Sequence, residues 1–237
     1  MPDCQLNHPG SSKSLETAAT ILMFNRSVEK FQFRNTVLLN DGDSSVFKSL
    51  QDINDNTGPY GHEYQLKNED CVNHLSKRMK NSLDSVISKM KTQGHAIAGK
   101  ERLTKDRVRA LQNNYGRAIK YNSDNLDAIY NATWATFLHY IIDDETPRHN
   151  NCPPGPTSWC WYNRQLAEGI TKPVRLTNSA PLSKEICEAI LPIYQCLCDK
   201  EILKRCLRGA TQNVIECLNQ MIWKKAPQNT GLAILRV

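Results

Sequence analysis

The amino-acid sequence predicts an α/β protein that is mostly helical, with one or two strands near its N-terminal end. Apolar residues recur at helical spacing through most of the 237 residues, as at Leu75, Met79 and Leu83. The segment TVLLN over residues 36–40 is β-branched and apolar, and it is the clearest strand in the chain. Because so few strands accompany so many helices, the sheet is expected to be small and incomplete.

The N-terminal part of the chain alternates helix and strand. The segment LETAATILMFNRSVEKF predicts a helix over residues 15–31, which leads into the strand TVLLN. Ser44 and Ser45 are residue types that cap helix N-termini, and they predict a short helix over residues 46–51. After a polar turn, the segment HEYQLK over residues 62–67 predicts a second strand.

The rest of the chain, from residue 71 onward, is predicted to form helices joined by loops. The proline-rich segment PRHNNCPPGPTSWC over residues 147–160 predicts an irregular loop. The segment TQNVIECLNQMIWKK over residues 211–225 predicts an amphipathic helix. The remaining predicted helices start at the caps Thr104, Ser123, Ser183 and Asp199, and the first two end near Lys120 and Ile142.

The composition sets broad limits on function. The chain has 30 basic and 24 acidic residues, for a net charge of +6, which is compatible with a polyanionic partner but does not require one. No apolar run approaches the length of a membrane span, and residues 1–20 lack the apolar core of a signal peptide. The sequence therefore predicts a soluble, intracellular protein that does not insert into membranes.

The nine cysteines are many for an intracellular chain, and their number is odd. Without a secretory signal, thiols and metal ligands are favoured over disulfides. Cysteines in apolar, helix-like segments are expected to be small buried hydrophobic side chains. The cysteines of this kind are Cys187, Cys196, Cys198, Cys206 and Cys217.

Two segments carry the cysteine and histidine spacing of half a zinc site. In CVNH, Cys71 and His74 are separated by two residues; in HNNC, His149 and Cys152 repeat that gap, and Cys160 follows. Together the five residues predict a zinc site, while a helix start that carries Cys71 and His74 only for packing is the alternative.

Other histidines and cysteines are weaker candidates. Cys4 and His8 form a third pair close to the N-terminus, and its ligand role stays open. His62, His95 and His139 have no partner at such a spacing, so they are expected to be ordinary surface or core histidines.

Two groups of acidic residues stand out. Asp41 and Asp43 follow the strand TVLLN, where α/β folds place ligand-binding groups, but Asp-Gly-Asp-Ser is also turn and cap chemistry. In NVIECLN, Asn213, Glu216 and Asn219 share one helix face, which suits either a metal or phosphate contact or a solvated polar surface. From the residues alone, both alternatives stay open in both places.

Three motifs occur in the order NDGDSS, CVNH and TQNVIECLN, and segments between them such as GKERLTKDRVRALQNNYGRAIKYN and CPPGPTSWCWYNR extend the pattern. In this order and spacing the chain resembles the Mutator-like transposase domain, within the DDE transposases. The resemblance implies an RNase H-like catalytic core interrupted by a helical insertion. Its parts would be a partial core over residues 1–70, an insertion over residues 71–205 and a C-terminal catalytic helix region over residues 206–237.

The resemblance also implies a chemistry. Such enzymes use two aspartates and a glutamate to bind two divalent metal ions, Mg²⁺ or Mn²⁺, which activate water and then a DNA 3′-hydroxyl for cutting and strand transfer. Carried over by motif, Asp41 is the second aspartate, with Asp43 as the alternative, and Glu216 is the glutamate, supported by Asn213 and Asn219. The first aspartate belongs to a strand upstream of GSSKSLE, and no match to it lies in this sequence.

The metal ligands are assigned in the same way. Cys71 and His74 match a Cys-x-x-His signature of the family, and His149, Cys152 and Cys160 match its cysteine-containing loop. A structural zinc ion is therefore an expected cofactor beside the catalytic metals.

Two functions are expected from the resemblance. The first is a transposase fragment that does not cleave DNA alone, because one of three carboxylates is missing. The alternative is a non-catalytic remnant that binds DNA or protein through Lys77, Arg78 and Lys80, although such a basic run is also typical of a solvated helix face. The expected partners are transposon-end DNA and further copies of the chain, and the expected location is the nucleus.

Overall fold

The computed structural model describes residues 10–42, 45–100, 102–141, 149–175 and 181–225. Within these residues the protein is mostly helical, with a small two-stranded parallel sheet, so the predicted fold class is confirmed. In chain order the elements are α1 (Ser12–Phe31), β1 (Val37–Asn40), α2 (Ser45–Gln51), α3 (Ile53–Asn56), β2 (Lys67–Asp70), α4 (Val72–Thr92), α5 (Lys105–Tyr121), α6 (Leu126–Leu138), α7 (Trp161–Ala167), α8 (Lys184–Leu197), α9 (Lys200–Lys204) and α10 (Asn213–Lys225).

The chain divides into two compact units. Residues 1–69 and 211–237 form the sheet unit, and residues 70–210 form the helical unit. The domain limits expected from the family resemblance stay a prediction. No helix of the described ranges is long and apolar enough to cross a bilayer.

In the sheet unit, α1 and the segment that follows it are held together by Tyr60. Ser11 caps α1 by accepting a hydrogen bond from the Ser14 N–H at 3.2 Å. The Tyr60 hydroxyl accepts from the Asn35 N–H at 3.1 Å and lies 2.9 Å from the Ser27 hydroxyl. Its ring stacks on Phe24, the apolar residue of α1 that is buried. These contacts fix the end of α1 before the chain enters β1.

The second strand lies later in the chain than predicted. In the segment HEYQLK, residues 62–64 are turn and bend and residues 65 and 66 have no regular structure, so the predicted strand over residues 62–67 is wrong except at its last residue, Lys67, where β2 begins. The Lys67 N–H donates to the Thr36 carbonyl at 2.8 Å, and pairing with β1 therefore starts only at this residue. All four residues of β1 are half-buried, although their apolar side chains are typical of a strand covered on both faces.

In the helical unit, α4 and α5 form an antiparallel pair. The Ser76 hydroxyl donates to the Gln112 carbonyl at 3.0 Å, and Lys120 at the end of α5 bonds Asn73 at the start of α4. A Cβ atom at Gly116 would lie 3.0 Å from the Ser76 Oγ atom, so a larger residue here would require the Ser76 side chain to shift. The predicted apolar stripe of α4 packs into the core of the unit.

The predicted caps of the later helices are right in three cases out of four. Thr104, Ser183 and Asp199 each accept a hydrogen bond from the first turn of α5, α8 and α9. The cap of α6 is Asn125, which accepts from the Ala128 N–H at 3.0 Å, so the assignment of Ser123 is wrong. The physical reason is the turn before α6, in which Asp124 has a φ of 66° and delays helix formation.

The α6 helix ends at Leu138 and not near Ile142. His139 is its C-cap, and residues 142–148 lie outside the described part of the chain.

The buried role predicted for five cysteines holds for three of them. Cys187, Cys198 and Cys206 are buried in the helical core. Cys196 and Cys217 are exposed, so the prediction is wrong for both. Cys196 lies off the buried stripe of α8, and Cys217 belongs to α10, a helix with no buried residue.

Candidate metal centre and carboxylate positions

Four buried side chains converge in the helical unit: His139, His149, Cys152 and Cys160. Each offers one ligand atom, and these atoms all lie within 4.8 Å of one another. None of the four residues is more than 5% exposed. Among the described residues, this is the one group of three or more histidine, cysteine and acidic side chains with such a geometry.

The distances within the cluster are close to the edges of a metal tetrahedron, and one of them is slightly longer. The two histidine Nδ1 atoms are 3.3 Å apart, and the Cys160 Sγ atom is 3.4 Å from the Nδ1 atom of His149. The Cys152 Sγ atom lies 3.8 Å from the His139 Nδ1 atom and 4.0 Å from that of His149. Zn–N bonds of about 2.0–2.1 Å and Zn–S bonds of about 2.3 Å give tetrahedral edges of roughly 3.3–3.8 Å.

Hydrogen bonds within the cluster do not account for all of its nitrogen and sulfur atoms. A neutral imidazole carries one N–H and one lone pair, so two Nδ1 atoms that face each other share a single proton. Thiols add only weak donors and acceptors. Two imidazoles and two thiols that point at one buried centre are instead the donor set of a four-coordinate metal site. The cluster could therefore hold a metal ion such as zinc.

The elements around the cluster place each ligand. His139 ends α6, where its N–H donates to the Ala135 carbonyl at 3.0 Å, and the ring of Trp159 meets it edge-on at 5.0 Å. His149 stacks on Tyr162 with ring centroids 4.4 Å apart. Cys160 is the N-cap of α7. The ligands thus come from the end of one helix, the start of another and the loop between them.

Asn163 holds the ligand-bearing loop in shape. Its side-chain N–H₂ group donates to the carbonyls of His149, Cys152 and Pro153 at 3.3, 3.0 and 3.2 Å. Its backbone N–H points at the Cys160 Sγ atom at 3.5 Å. One residue of α7 therefore orders the loop and also supports a ligand, as outer-shell partners of metal sites do.

The surroundings of the two thiols shift their pKa values in opposite directions. Hydrogen bonds from Cys152, His139, His149 and the Asn163 N–H hold the pKa of the Cys160 thiol far below its usual value, against the effect of burial. The hydrogen bond to Cys160 and burial raise the pKa of the Cys152 thiol. Thiolate is the form that binds metal, and the hydrogen bonds around Cys160 favour this form.

The cluster differs from the predicted ligand set in two ways. It contains three of the five predicted ligands, His149, Cys152 and Cys160, and its fourth member is His139. Cys71 and His74 do not belong to it. Cys71 is the buried N-cap of α4. A metal role for these two residues stays a prediction, and Cys4 and His8 lie outside the described residues.

Sequence reasoning missed His139 because it searched for short spacings. This residue lies ten positions before His149, in a different element. The signal that could have found it is a histidine at the end of a predicted helix, directly before the loop that carries the other ligands.

The first predicted catalytic residue, Asp41, follows β1 and is exposed. The turn there forms as Asp-Gly chemistry predicts, with the Gly42 N–H donating to the Asn40 side-chain oxygen at 2.7 Å and Gly42 at a φ of 98°. Asp43 lies outside the described residues. The catalytic role of either aspartate stays a prediction.

Glu216 and its neighbours lie on the predicted helix, α10. Glu216 and Asn219 are half-buried, and Asn213 is exposed. The start of this helix is attached to β1, because the Gln212 side-chain N–H₂ group donates to the Leu39 carbonyl at 2.9 Å. The Glu216 N–H donates to the Gln212 carbonyl at 2.9 Å, so Glu216 lies one helical turn beyond this contact.

The three basic residues of α4 do not share one environment. Lys77 and Lys80 are exposed, and Lys80 forms an ion pair with Asp84 one turn later. Arg78 is half-buried. Burial raises the pKa of the Tyr115 hydroxyl well above its usual value, and the nearby guanidinium of Arg78 opposes this effect. Arg78 therefore lies against the core of the unit.

The fold and the cluster define a helical α/β protein with a buried four-residue site that could hold a metal ion. A comparison with protein families matches residues 1–160 to the family described as Mutator-like transposase. The chain belongs to this family, and its function is therefore transposase-related. The matched part contains β1, Asp41 and all four cluster residues, and it ends before α10. Comparisons with proteins of curated function and with solved structures found no match.

Proposed function

We propose that this chain is part of a DDE transposase, a class of enzyme that cuts and joins DNA at transposon ends by two-metal phosphoryl transfer. The family match over residues 1–160 carries the proposal. In such an enzyme, carboxylates from an RNase H-like core hold Mg²⁺ or Mn²⁺, and the ions stabilise the attacking and leaving oxygens.

The contact between Gln212 and Leu39 supports the assignment of the two carboxylates. A shared metal site requires that the residue after β1 and a residue in the first turns of α10 lie at the same end of the strand. The hydrogen bond from Gln212 attaches α10 two residues before Asp41 and one turn before Glu216. Asp41 and Glu216 are thus the proposed ligands of the catalytic metals, with Asp43 as the alternative to Asp41 and with Asn213 and Asn219 in support.

The motif match assigns only two of the three carboxylates that the chemistry uses. We therefore expect this chain alone not to cleave DNA, because two carboxylates leave the pair of metal ions short of ligands. The test is a nicking assay on a labelled duplex in Mg²⁺ or Mn²⁺. The expected result is no cleavage above background. Cleavage that depends on the metal and is lost in Glu216→Gln would contradict this expectation.

For the buried cluster, the proposed cofactor is a structural zinc ion. Four protein ligands close the coordination sphere, whereas catalytic zinc sites keep one position open for water or substrate. The ion would tie the end of α6 to α7 and to the loop between them.

A non-catalytic role in DNA or protein binding is the second candidate function. The exposed cations Lys77 and Lys80 favour it, since they belong to the helical unit and not to the sheet unit that carries Asp41 and Glu216. In this role, salt-sensitive binding to duplex DNA should persist in Asp41→Asn and Glu216→Gln. No binding at low salt would exclude the DNA-binding form of this role. For both candidates the proposed location is the nucleus, and self-association remains a proposal.

A further inference from the structure

The α5 helix has two faces of opposite character. Its buried face packs into the core of the helical unit and contains Val108, Leu111, Asn114, Tyr115, Gly116, Ala118 and Ile119. Its exposed face carries a stripe at intervals of four residues: Lys105, Arg109, Asn113, Arg117 and Tyr121. Residues four apart are neighbours on a helix, but each step of four advances the row by about 40° around the axis. Arg109, Asn113 and Arg117 therefore share one face, and Lys105 and Tyr121 lie toward its two edges.

The row is long and positively charged. It spans sixteen residue steps, or about 24 Å at about 1.5 Å per residue. Lys120 extends it beside Tyr121, which is 79% exposed. The helix contains a single acidic residue, Asp106, in its first turn. The part of the row that shares one face, from Arg109 to Arg117, spans eight residue steps, or about 12 Å, and matches about three to four base pairs of duplex DNA at about 3.4 Å per base pair.

The two arginines of the row, Arg109 and Arg117, form no ion pair with the described residues of the helical unit. In the described part of the chain, no carboxylate forms an ion pair with Arg109 or Arg117. Other exposed cations are used: Lys200 pairs with Asp127 at 2.7 Å, and Lys120 bonds Asn73 at 2.8 Å. Exposed arginines that make no local ion pair keep their full charge and their hydrogen-bond donors for a partner.

We propose that the exposed face of α5 lies in the major groove of duplex DNA, with Arg109, Asn113 and Arg117 against base edges and Lys105 against a phosphate. This inference rests on the proposed DNA-binding function and names the surface that carries it. Arginine pairs with guanine and asparagine with adenine through two hydrogen bonds each, and one helix fills the width of the major groove. A row with an amide between two arginines therefore suits the recognition of base sequence, and not only attraction to the phosphates.

The test is a selection from randomised duplexes with the full chain at low salt, followed by binding measurements by fluorescence anisotropy. The variants are Arg109→Gln/Arg117→Gln and Asn113→Ala. The matched control is Lys184→Gln/Lys204→Gln, which removes the same charge from exposed positions of α8 and α9. Thermal melts verify that each variant is folded, as expected for exposed positions.

The wild-type chain should enrich a sequence, and each α5 contact that is lost should weaken binding to it by about 5- to 150-fold. The control should enrich the same sequence as the wild type. Wild-type binding without enrichment, or α5 variants that bind the selected site as the control does, would overturn the inference and leave the proposed function standing. No binding by the wild-type chain to any duplex would instead refute the DNA-binding function itself.

Discussion

Among single residues, His139 has the largest effect on what the helical unit can bind. Without it, the loop ligands His149, Cys152 and Cys160 form an incomplete set, and its Nδ1 atom lies 3.3 Å from that of His149. His139 ends a helix that is packed into the core, so the packing of α6 holds its position. A pre-positioned ligand of this kind lowers the ordering cost of the other three.

We predict that His139→Asn lowers zinc affinity by more than about 100-fold, since loss of even an outer-shell partner typically costs 10–100-fold. The measurement is competition with a chromophoric chelator together with elemental analysis of the purified chain. His95→Asn is the control, because His95 is exposed and contacts only Glu185 among the ion pairs of the described residues.

The variant His74→Asn tests whether zinc binds to this cluster or to the ligand set expected from sequence. We expect it to leave zinc affinity unchanged, because His74 does not belong to the cluster. Unchanged affinity in His139→Asn, or a large loss in His74→Asn, would refute the assignment of the four ligands.

At the scale of elements, the ends of α8 and α9 bury two thiols. Cys198 is the C-cap of α8, and Cys206 follows α9. Burial raises the pKa of each thiol to about 12, from a usual value of 9.0. In the unfolded chain these thiols ionise near pH 9, whereas in the folded chain they stay protonated.

The folded protein should therefore lose stability as the pH rises from about 9 toward about 12, and below about pH 9 these thiols should have no effect. The unfolded state binds fewer protons in this window, so each thiol contributes a loss of up to about 1.4 kcal/mol per pH unit. The measurement is the free energy of urea unfolding between pH 8 and pH 10. Cys198→Ala/Cys206→Ala should flatten the decline, and Cys196→Ala, at an exposed position, should not. Equal slopes in all three proteins would refute this account.

At the scale of the whole molecule, the metal site and the carboxylates belong to different units. The cluster lies in the helical unit, and Asp41 and Glu216 lie in the sheet unit. Removal of a structural metal should therefore destabilise the helical unit, which contains the cluster.

We predict that chelation lowers the Tm of the zinc-loaded chain. A ligand at 100 times its Kd stabilises the folded state by about 2.7 kcal/mol. For a chain of this size that corresponds to a fall of roughly 5–11 °C on removal. Differential scanning calorimetry with and without EDTA measures it, and Cys152→Ser should be insensitive to the chelator. An unchanged Tm after metal loss has been verified would exclude a structural role.

The sheet unit also exposes apolar surface. The α10 helix has no buried residue, and large apolar side chains such as Ile215, Leu218 and Met221 are at least 50% exposed. Parallel sheets are normally covered on both faces, and a two-stranded sheet is only marginally stable by itself. Within the described residues, the apolar side chains of α10 are therefore largely uncovered.

Sequence alone was enough for most of the helices and for the fold class. The periodicity of α4, α5 and α10 and the caps Thr104, Ser183 and Asp199 are local signals, because a helix satisfies its hydrogen bonds within a few residues. The ligands of the cysteine-containing loop were also predicted from a local signal, since His149, Cys152 and Cys160 lie within twelve consecutive residues.

Tertiary structure decided what depends on contacts between distant parts of the chain. The start of β2 is set by pairing with β1, and the exposure of Cys196 is set by which face of α8 meets the core. His139 joined the cluster because packing of α6 carries its last turn to the loop, and no short spacing encodes that approach. Sequence thus determined which elements form and which residue types could bind metal, whereas packing selected the set of four that meet, because ligand geometry is a property of distances in space and not of positions along the chain.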